Sequence, residues 1–202
     1  MINQPYIGFE GPIGAGKTTL TQLLAAHITA KPIFENVDGN EFLADFYGDK
    51  KRWALGMQLS FQISRHEQLR AVLSSRATAV VADYTQAKDA IFARILLHGR
   101  ELRLYENISE GLNADVVRPD LIVYLDAKDQ VLLDRIRRRN RPYEVSIDRE
   151  YLQTLRDAYE CYLDSIQAVK VLRCDTSTLN LASNSELTNL YMRILDAASA
   201  RS

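Results

Sequence analysis

The sequence predicts an α/β fold in which a five-stranded parallel sheet is flanked by helices. Short apolar segments alternate with longer segments of helical periodicity, as in parallel sheets that helices cover. A glycine-rich run, Gly11–Thr18, lies between a predicted strand and a predicted helix. Most of the predicted strands end at an acidic residue, and these residues are Glu10, Glu35, Asp83 and Asp126.

Five strands and six helices account for most of the chain. Strands are predicted near residues 5–10, 32–35, 78–83, 120–125 and 169–173, where short apolar runs occur. Helices are predicted near residues 17–29, 50–74, 88–113, 128–138, 148–168 and 184–199. In the first of these helices, leucines and an isoleucine recur at helical intervals. No repeat or Pro/Gly/Ser-rich linker divides the 202 residues, so we expect one domain over residues 1–202.

The composition is that of a globular protein without a strong overall charge. Apolar residues make up 47% and charged residues 25%, and the net charge of −1 favours neither nucleic acid nor an anionic membrane. The longest apolar runs, such as Leu121–Leu125, are too short to cross a bilayer, and no export signal is visible. Two cysteines without metal-ligand spacing indicate free thiols in a reducing compartment. We therefore expect a cytoplasmic protein without nucleic-acid or membrane partners.

The glycine-rich run matches G-x-x-x-x-G-K-[ST], the phosphate-binding loop. In this geometry, backbone N–H groups and the N-terminus of the following helix face a polyphosphate. Lys17 reaches the β and γ oxygens, and the Thr18 hydroxyl is a ligand for Mg²⁺. A chance glycine turn is the alternative, which the preceding strand and following helix disfavour. The residues expected to bind the triphosphate of ATP are Gly11, Pro12, Ile13, Gly14, Ala15, Gly16, Lys17, Thr18 and Thr19.

Two of the strand-end acids are candidates for catalysis. The carboxyl ends of parallel strands meet at one edge of a sheet, so Glu35 and Asp83 are expected to flank the phosphate loop. Phosphoryl transfer requires a group that accepts the proton of the attacking hydroxyl, and Glu35 is suited to this role. Asp83 is suited to hold Mg²⁺ directly or through water. Taken singly, each acid has a helix cap as its alternative role.

A basic run from Arg135 to Arg141 follows the fourth predicted strand. Such runs are most often solvated helix faces, and contact with nucleic acid is a second alternative. Arg135 and Arg139 are four residues apart and share one helix face, and Arg141 lies in the turn beyond. Together with the phosphate loop, this spacing favours an arginine-rich lid over about residues 135–147 that brings guanidinium groups onto a triphosphate.

Gln58 and Arg65 lie two turns apart on the helix predicted near 50–74, so they point the same way. That helix face is mostly apolar, and a buried amide there requires hydrogen-bonding partners. The edge of a nucleobase is suitable, because an amide donates and accepts side by side. A backbone partner is the alternative for Gln58.

Together these segments resemble the deoxyribonucleoside kinase family, and most of all its bacterial purine members. The resemblance extends from Tyr6 to about Leu172. It implies a P-loop kinase fold and the Mg²⁺- and ATP-dependent phosphorylation of the 5′-hydroxyl of deoxyguanosine or deoxyadenosine, in nucleotide salvage. It also implies a homodimer through long helices near 50–74 and 88–113. The segments that carry it are Gly11–Thr18, Glu35–Tyr47, Gln58 with Arg65, Asp83–Ala93 and Arg135–Glu144.

The resemblance further implies roles for individual residues. Glu35 resembles the carboxylate that accepts the 5′-hydroxyl proton, and Asp83 resembles the acid that supports Mg²⁺, although that acid is sometimes described as the base. Lys17 and the lid would stabilise the transferring phosphoryl group. The other correspondences are Tyr47 and Glu144 at the sugar 3′-hydroxyl, Gln58 and Asp89 at the base edge with Arg65 beside them, and Arg135, Arg139 and Arg141 in the lid.

Two positions depart from the family pattern. Tyr84 stands where many members have an arginine that anchors the catalytic carboxylate, which leaves the anchoring here open. The combination of Asp83-Tyr84 with Lys88 is similar to bacterial deoxyguanosine-kinase-like members. Asn140 stands where the lid usually has glycine, and asparagine tolerates the left-handed backbone that such a turn needs.

Two other functions share parts of this pattern. A nucleoside monophosphate kinase has the same loop, sheet and lid, but its charged acceptor needs additional cations. Tyr47, Gln58 and Asp89 instead describe a neutral acceptor with a readable base. A non-catalytic nucleotide-binding module is the second alternative, and the paired carboxylates and the lid disfavour it.

Overall fold

The computed structural model describes residues 5–73, 78–114 and 117–199. Residue 74 of a predicted helix and the extreme ends of the predicted domain lie outside this description. The strands are β1 (Tyr6–Glu10), β2 (Lys31–Ile33), β3 (Val80–Ala82), β4 (Leu121–Asp126) and β5 (Lys170–Asp175). The helices are α1 (Lys17–His27), α2 (Leu43–Gly48), α3 (Lys50–Leu73), α4 (Gln86–Leu96), α5 (Gly99–Asn113), α6 (Asp129–Arg139), α7 (Arg149–Ser165) and α8 (Asn184–Ser199).

The five strands form one parallel sheet in the order β2-β3-β1-β4-β5, which confirms the predicted fold class. Every residue of β1 is buried, because helices cover both faces of the sheet. Alternate residues of β4 point to opposite faces: Val123 packs in the core with α1, α6 and α8, whereas Ile122 packs with α4 and α7. Both faces of the central strands are therefore apolar, as their continuous apolar runs predict.

One predicted helix is wrong. The segment near 88–113 forms two helices, because Leu97 adopts an extended backbone and ends α4. Leu97 is fully buried, and Gly99 begins α5 with a φ of 54°. Helical periodicity continues across this break and conceals it in the sequence. The six-residue α2 and a 3₁₀ turn at Pro142–Glu144 were also not predicted.

The strand order places a crevice beyond the carboxyl ends of β1 and β3. The chain passes from β1 to β2 on one side of β1, whereas it passes from β3 to β4 across to the other side, and ligands bind at such a switch point. A cavity of about 480 Å³ opens there, within the range of small-molecule sites. Among the described residues, no helix is long and apolar enough to span a membrane.

Candidate active site

The phosphate loop adopts a conformation that requires glycine. Gly11, Gly14 and Gly16 have φ values of 138°, 85° and 100°, and α1 begins at the next residue, Lys17. A Cβ atom at Gly11 would lie 2.0 Å from the carbonyl oxygen of Leu125. The first N–H groups of α1 therefore follow a glycine N-cap, which supplies no side-chain acceptor for them. This is the arrangement in which a helix N-terminus receives phosphate.

Lys17 is folded onto the loop that precedes it. Its Nζ donates to the carbonyl oxygens of Gly11 at 2.6 Å and Pro12 at 2.9 Å. Burial, followed by repulsion from the ammonium of Lys88, lowers the pKa of Lys17 to about 8. A polyphosphate in the loop would offer this ammonium stronger, charged acceptors than two carbonyl groups.

Asp83 joins the phosphate loop to the segment that follows β2. Its Oδ2 accepts a hydrogen bond from the Thr18 hydroxyl at 2.7 Å, and its Oδ1 accepts one from the Glu35 backbone N–H at 2.8 Å. A hydroxyl oxygen and a carboxylate in contact are a suitable protein donor set for Mg²⁺, which completes its shell with phosphate oxygens and water. The residues predicted to hold the metal thus fit it.

Glu35 lies in a concentrated positive field. Its Oε1 accepts from the guanidinium of Arg65, with Nε at 2.9 Å, and its Oε2 accepts from Lys88 Nζ at 2.6 Å. Burial alone would raise the pKa of Glu35, but the charges of Lys88 and Arg65 outweigh burial and hold it well below the ordinary value. The side chain is 12% exposed and faces the cavity. The carboxylate of Glu35 is therefore largely shielded from solvent and still ionised.

Arg65 connects Glu35 to a second carboxylate. Its Nη1 forms a buried ion pair with Asp89, and the guanidinium lies 4.8 Å from the centroid of the Phe61 ring. Burial raises the pKa of Asp89, and the charge of Arg65 opposes this rise. The predicted base reader Asp89 and the predicted proton acceptor Glu35 therefore share one cation.

Gln58 is buried beside this cluster, with 2% of its surface exposed. Its Nε2 contacts the Met57 sulfur at 3.7 Å, and its Oε1 has no hydrogen-bond partner among the described residues. The predicted alternative, a backbone partner for Gln58, is not what the structure shows. Gln58 lines the cavity, so its unpaired amide oxygen is suited to accept a hydrogen bond from a ligand.

Aromatic and acidic side chains close the cavity on the side of the predicted sugar site. The ring of Tyr47 stacks on Tyr143 with centroids 5.5 Å apart. Burial raises the pKa of Tyr47, so its phenol remains a neutral donor at neutral pH. Glu144, which follows Tyr143, is 6% exposed and lines the same cavity.

The three arginines of the predicted lid are held in two different ways. Arg139 binds the carboxylate of Glu144 in a bidentate manner, at 3.0 and 2.6 Å, and Arg141 approaches it at 3.8 Å. Arg135 instead donates to the Thr176 hydroxyl at 3.0 Å and to the Thr176 carbonyl at 2.7 Å. All three arginines line the cavity, but only Arg139 and Arg141 share an acceptor.

The backbone of the lid turn follows the expectation for Asn140. Asn140 has a φ of 51° and caps α6 in the left-handed conformation. Asparagine therefore supplies the turn for which the family usually has glycine.

The four strand-end acids divide into two groups. Glu35 and Asp83 line the cavity, as expected. Glu10 instead accepts hydrogen bonds from the backbone N–H and hydroxyl of Thr85 and from the Tyr159 hydroxyl. Asp126 pairs with a guanidinium of α7. These two acids fasten helices to the sheet, and the sequence pattern does not distinguish them from the other two.

Among the cavity side chains that sequence reasoning missed are Lys88 and Tyr143. Lys88 was noted only as a subfamily marker, and its position in the first turn of α4, where a cation is unfavourable, was the available signal. Tyr143, between the lid arginines and Glu144, carried no signal beyond its place in the lid. Tyr84 points elsewhere, since its hydroxyl donates to Gln68 at 2.6 Å.

Comparisons with known proteins agree with this geometry. The profile of the deoxynucleoside kinase family matches residues 7–196. A deoxyguanosine kinase of Bacillus subtilis (strain 168) is 36% identical over 170 residues, which are 83% of this chain and 82% of that protein. A deoxyadenosine kinase of Dictyostelium discoideum is 35% identical over 178 residues, or 85% of this chain and 72% of that protein.

Solved structures show the same fold. A deoxyadenosine kinase from M. mycoides with bound dATP superimposes with a TM-score of 0.81 at 22% identity, covering 96% of this chain and 100% of that one. The same enzyme with bound dCTP gives a TM-score of 0.80 at 23% identity, over 95% and 99% of the two chains. With the family profile spanning nearly the whole sequence, the chain belongs to the deoxynucleoside kinase family.

Proposed function

We propose that this protein transfers the γ-phosphoryl group of ATP to the 5′-hydroxyl of a purine deoxyribonucleoside, deoxyguanosine or deoxyadenosine, in nucleotide salvage. The observation that carries this proposal is that Glu35, the phosphate loop and the orphan amide of Gln58 line one cavity, where Arg65 joins Glu35 to the buried carboxylate of Asp89. Purine specificity is supported by relatives named deoxyguanosine and deoxyadenosine kinases.

In the proposed reaction, Glu35 accepts the proton of the 5′-hydroxyl as its oxygen attacks the γ-phosphorus. The bond between the 5′-oxygen and the γ-phosphorus forms, and the bond from that phosphorus to the β–γ bridging oxygen breaks. ADP leaves with the electron pair of that bond. Lys17, Arg139 and Arg141 would neutralise charge on the transferring group, and such cations contribute about 10³–10⁵ in rate.

Mg²⁺ would be held by Thr18 and Asp83, whose oxygens lie 2.7 Å apart. When bound, the ion neutralises charge on the β- and γ-phosphates. Asp83 therefore serves two functions in the proposed site, because its other oxygen fixes the backbone N–H of Glu35.

The substrate pocket follows from the remaining contacts. Tyr47 and Glu144 would bind the sugar 3′-hydroxyl, with Tyr47 packed closely enough to exclude a ribose 2′-hydroxyl. Gln58 and Asp89 would pair with the edge of the base, and the charge of Arg65 would oppose the rise in the pKa of Asp89 that burial causes. Glu144 must then exchange part of its contact with Arg139 for the sugar, which frees that guanidinium for phosphate.

A homodimer through α3 and α5 belongs to the same proposal. These helices pack on one another, and they expose three apolar side chains, Ile63, Leu104 and Ile108, at 45%, 48% and 36% of their surface. Exposed apolar residues that cluster mark interaction surfaces.

We also propose that the protein acts in the cytoplasm.

The test is ADP release by the purified protein with Mg-ATP and a panel of acceptors. Turnover with deoxyguanosine or deoxyadenosine, and much less with ribonucleosides, is expected. Turnover with nucleoside monophosphates alone would assign a nucleoside monophosphate kinase. ATP binding without turnover on any acceptor would contradict the proposal and favour a binding module.

A further inference from the structure

The anchoring of Glu35 relies on two cations from different helices. Arg65 of α3 binds Oε1 and Lys88 of α4 binds Oε2. The hydroxyl of Tyr84 donates to Gln68 and not to Glu35, and the Tyr84 ring lies 5.9 Å from the guanidinium of Arg65. Arg65 also pairs with Asp89, whereas the ammonium of Lys88 forms an ion pair only with Glu35 among the described residues.

The two carboxylate oxygens differ in their remaining capacity. A carboxylate oxygen accepts about two hydrogen bonds. Oε1 accepts from both Nε and Nη2 of Arg65 and is thereby filled, whereas Oε2 accepts only from Lys88 in the described structure. Oε2 is therefore the oxygen with room for a substrate hydroxyl, and Lys88 is the residue in contact with it.

Lys88 is placed where helix energetics oppose a cation. It lies in the first turn of α4, next to the positive end of the helix dipole. The start of this helix is fixed, because the N-cap Thr85 donates two hydrogen bonds to the fully buried Glu10 at the end of β1. A local rule broken at a rigid position is typical of a functional residue.

We propose that Lys88 is a positioning residue for phosphoryl transfer. Its ammonium holds Oε2 of Glu35 in the orientation that receives the proton of the substrate hydroxyl, so Lys88 acts through Glu35. This inference rests on the proposed function. It assigns the first turn of α4 to catalysis, beyond the base contact proposed for Asp89 on the same helix.

The groups that surround Glu35 determine which variant isolates this effect. Besides Arg65 and Lys88, electrostatic partners of Glu35 are Lys17, Asp83, Tyr84, Asp89 and Tyr159. Lys88→Met removes the ammonium and keeps an unbranched apolar stem beside Phe92, whose ring lies 5.7 Å from Nζ. Lys88→Arg keeps the charge.

The test is a double-mutant cycle with Glu35→Gln, with phosphoryl transfer to deoxyguanosine followed by radiolabelled ATP. We expect Lys88→Met to lower kcat by about 10- to 100-fold with the deoxynucleoside KM changed by less than about 3-fold. Lys88→Arg should recover most of this loss. In the Glu35→Gln background, Lys88→Met should cost less than about 2-fold, because the group through which it acts is gone.

Three results would overturn the inference. These are an equal loss from Lys88→Met in both backgrounds, a raised KM with unchanged kcat, or no rescue by Lys88→Arg in a folded protein with normal ATP binding. Lys51→Met, at an exposed lysine of α3, is the matched control for charge removal. An inactive wild-type protein would instead refute the proposed function, so the two failures are distinguishable.

Discussion

Glu35 keeps its negative charge although solvent reaches little of its side chain. Burial favours the neutral acid, and only the two adjacent cations, Lys88 and Arg65, make the carboxylate the stable form. Removing one partner from such a cluster is costly, because it leaves an uncompensated buried charge. The ionisation of Glu35 therefore depends on the balance between its own charge and those of Lys88 and Arg65.

The lowered pKa of Glu35 has a consequence for activity. A carboxylate whose pKa is depressed stays ionised as the pH falls, until the pH approaches that depressed value. We expect kcat for the deoxynucleoside to vary by less than ~2-fold between about pH 7 and pH 5, a range that lies below the pKa of about 8 of Lys17. Initial rates at saturating substrates in matched buffers measure this. An acidic limb in kcat with a midpoint near about pH 6 would show that Glu35 is not held ionised.

Asp89 allows a test of substrate recognition. Asp89→Asn removes a buried charge from the base pocket and one partner from Arg65. We expect the deoxynucleoside KM to rise at least ~10-fold, because a charged hydrogen bond is worth ~1.5–3 kcal/mol, with the KM for ATP changed less than ~2-fold. Asp157→Asn, at an exposed residue of α7, is the control. Equal increases in both KM values would argue against a base contact.

At the level of elements, the active site depends on how loops approach strands. Gly11 passes so close to the β4 carbonyl of Leu125 that a side chain has no room. The close approach carries the phosphate loop over the end of the sheet and orients α1 towards the ligand. The phosphate-binding part of the candidate site is therefore formed by backbone conformation more than by side chains.

Substitution of glycines separates this effect from ordinary helix propensity. Gly11→Ala should lower the free energy of unfolding by at least ~2 kcal/mol, through backbone strain and the overlap with Leu125. Gly111→Ala in α5, where a Cβ atom meets nothing within 4 Å, should raise it by ~0.5–1 kcal/mol. Urea denaturation followed by circular dichroism compares them. Equal stability of Gly11→Ala and wild type would contradict the strained turn.

Helices and strands were predicted well from the sequence where an apolar run or a glycine motif marks them. The strands and the phosphate loop follow from continuous apolar runs and from glycine spacing. The break at Leu97 was missed because a buried leucine fits helical periodicity on either side of it. The bond between Lys88 and Glu35 joins residues 53 positions apart, and no local pattern indicates such a pairing.

At the scale of the whole molecule, the sheet gathers residues from distant parts of the chain into one cavity. Residues of the phosphate loop, the Glu35 segment, α3, α4 and the predicted lid all line it. The exposed apolar side chains of α3 and α5, which are Ile63, Leu104 and Ile108, belong to the surface proposed to bind a second copy of the chain. An assembly through this side would support α3 behind the base pocket.

The proposed dimer has a direct test. Leu104→Glu would bury a charge in the proposed interface and should give a monomer at micromolar concentration, whereas we expect wild type to sediment as a dimer. Met192→Glu, at a residue of α8 that is 52% exposed, should leave the dimer intact. Sedimentation velocity separates the two states. A monomeric wild-type protein, or a dimeric Leu104→Glu variant, would contradict this interface.

The most direct test of the central claim measures deoxynucleoside 5′-monophosphate formed from deoxyguanosine and Mg-ATP by wild type and by Glu35→Gln. Both proteins must be folded and bind ATP equally. We expect wild type to form the monophosphate and the variant to be slower in kcat by at least ~10², the scale of a lost general base. Near-normal turnover by Glu35→Gln would contradict the assignment of Glu35 as proton acceptor.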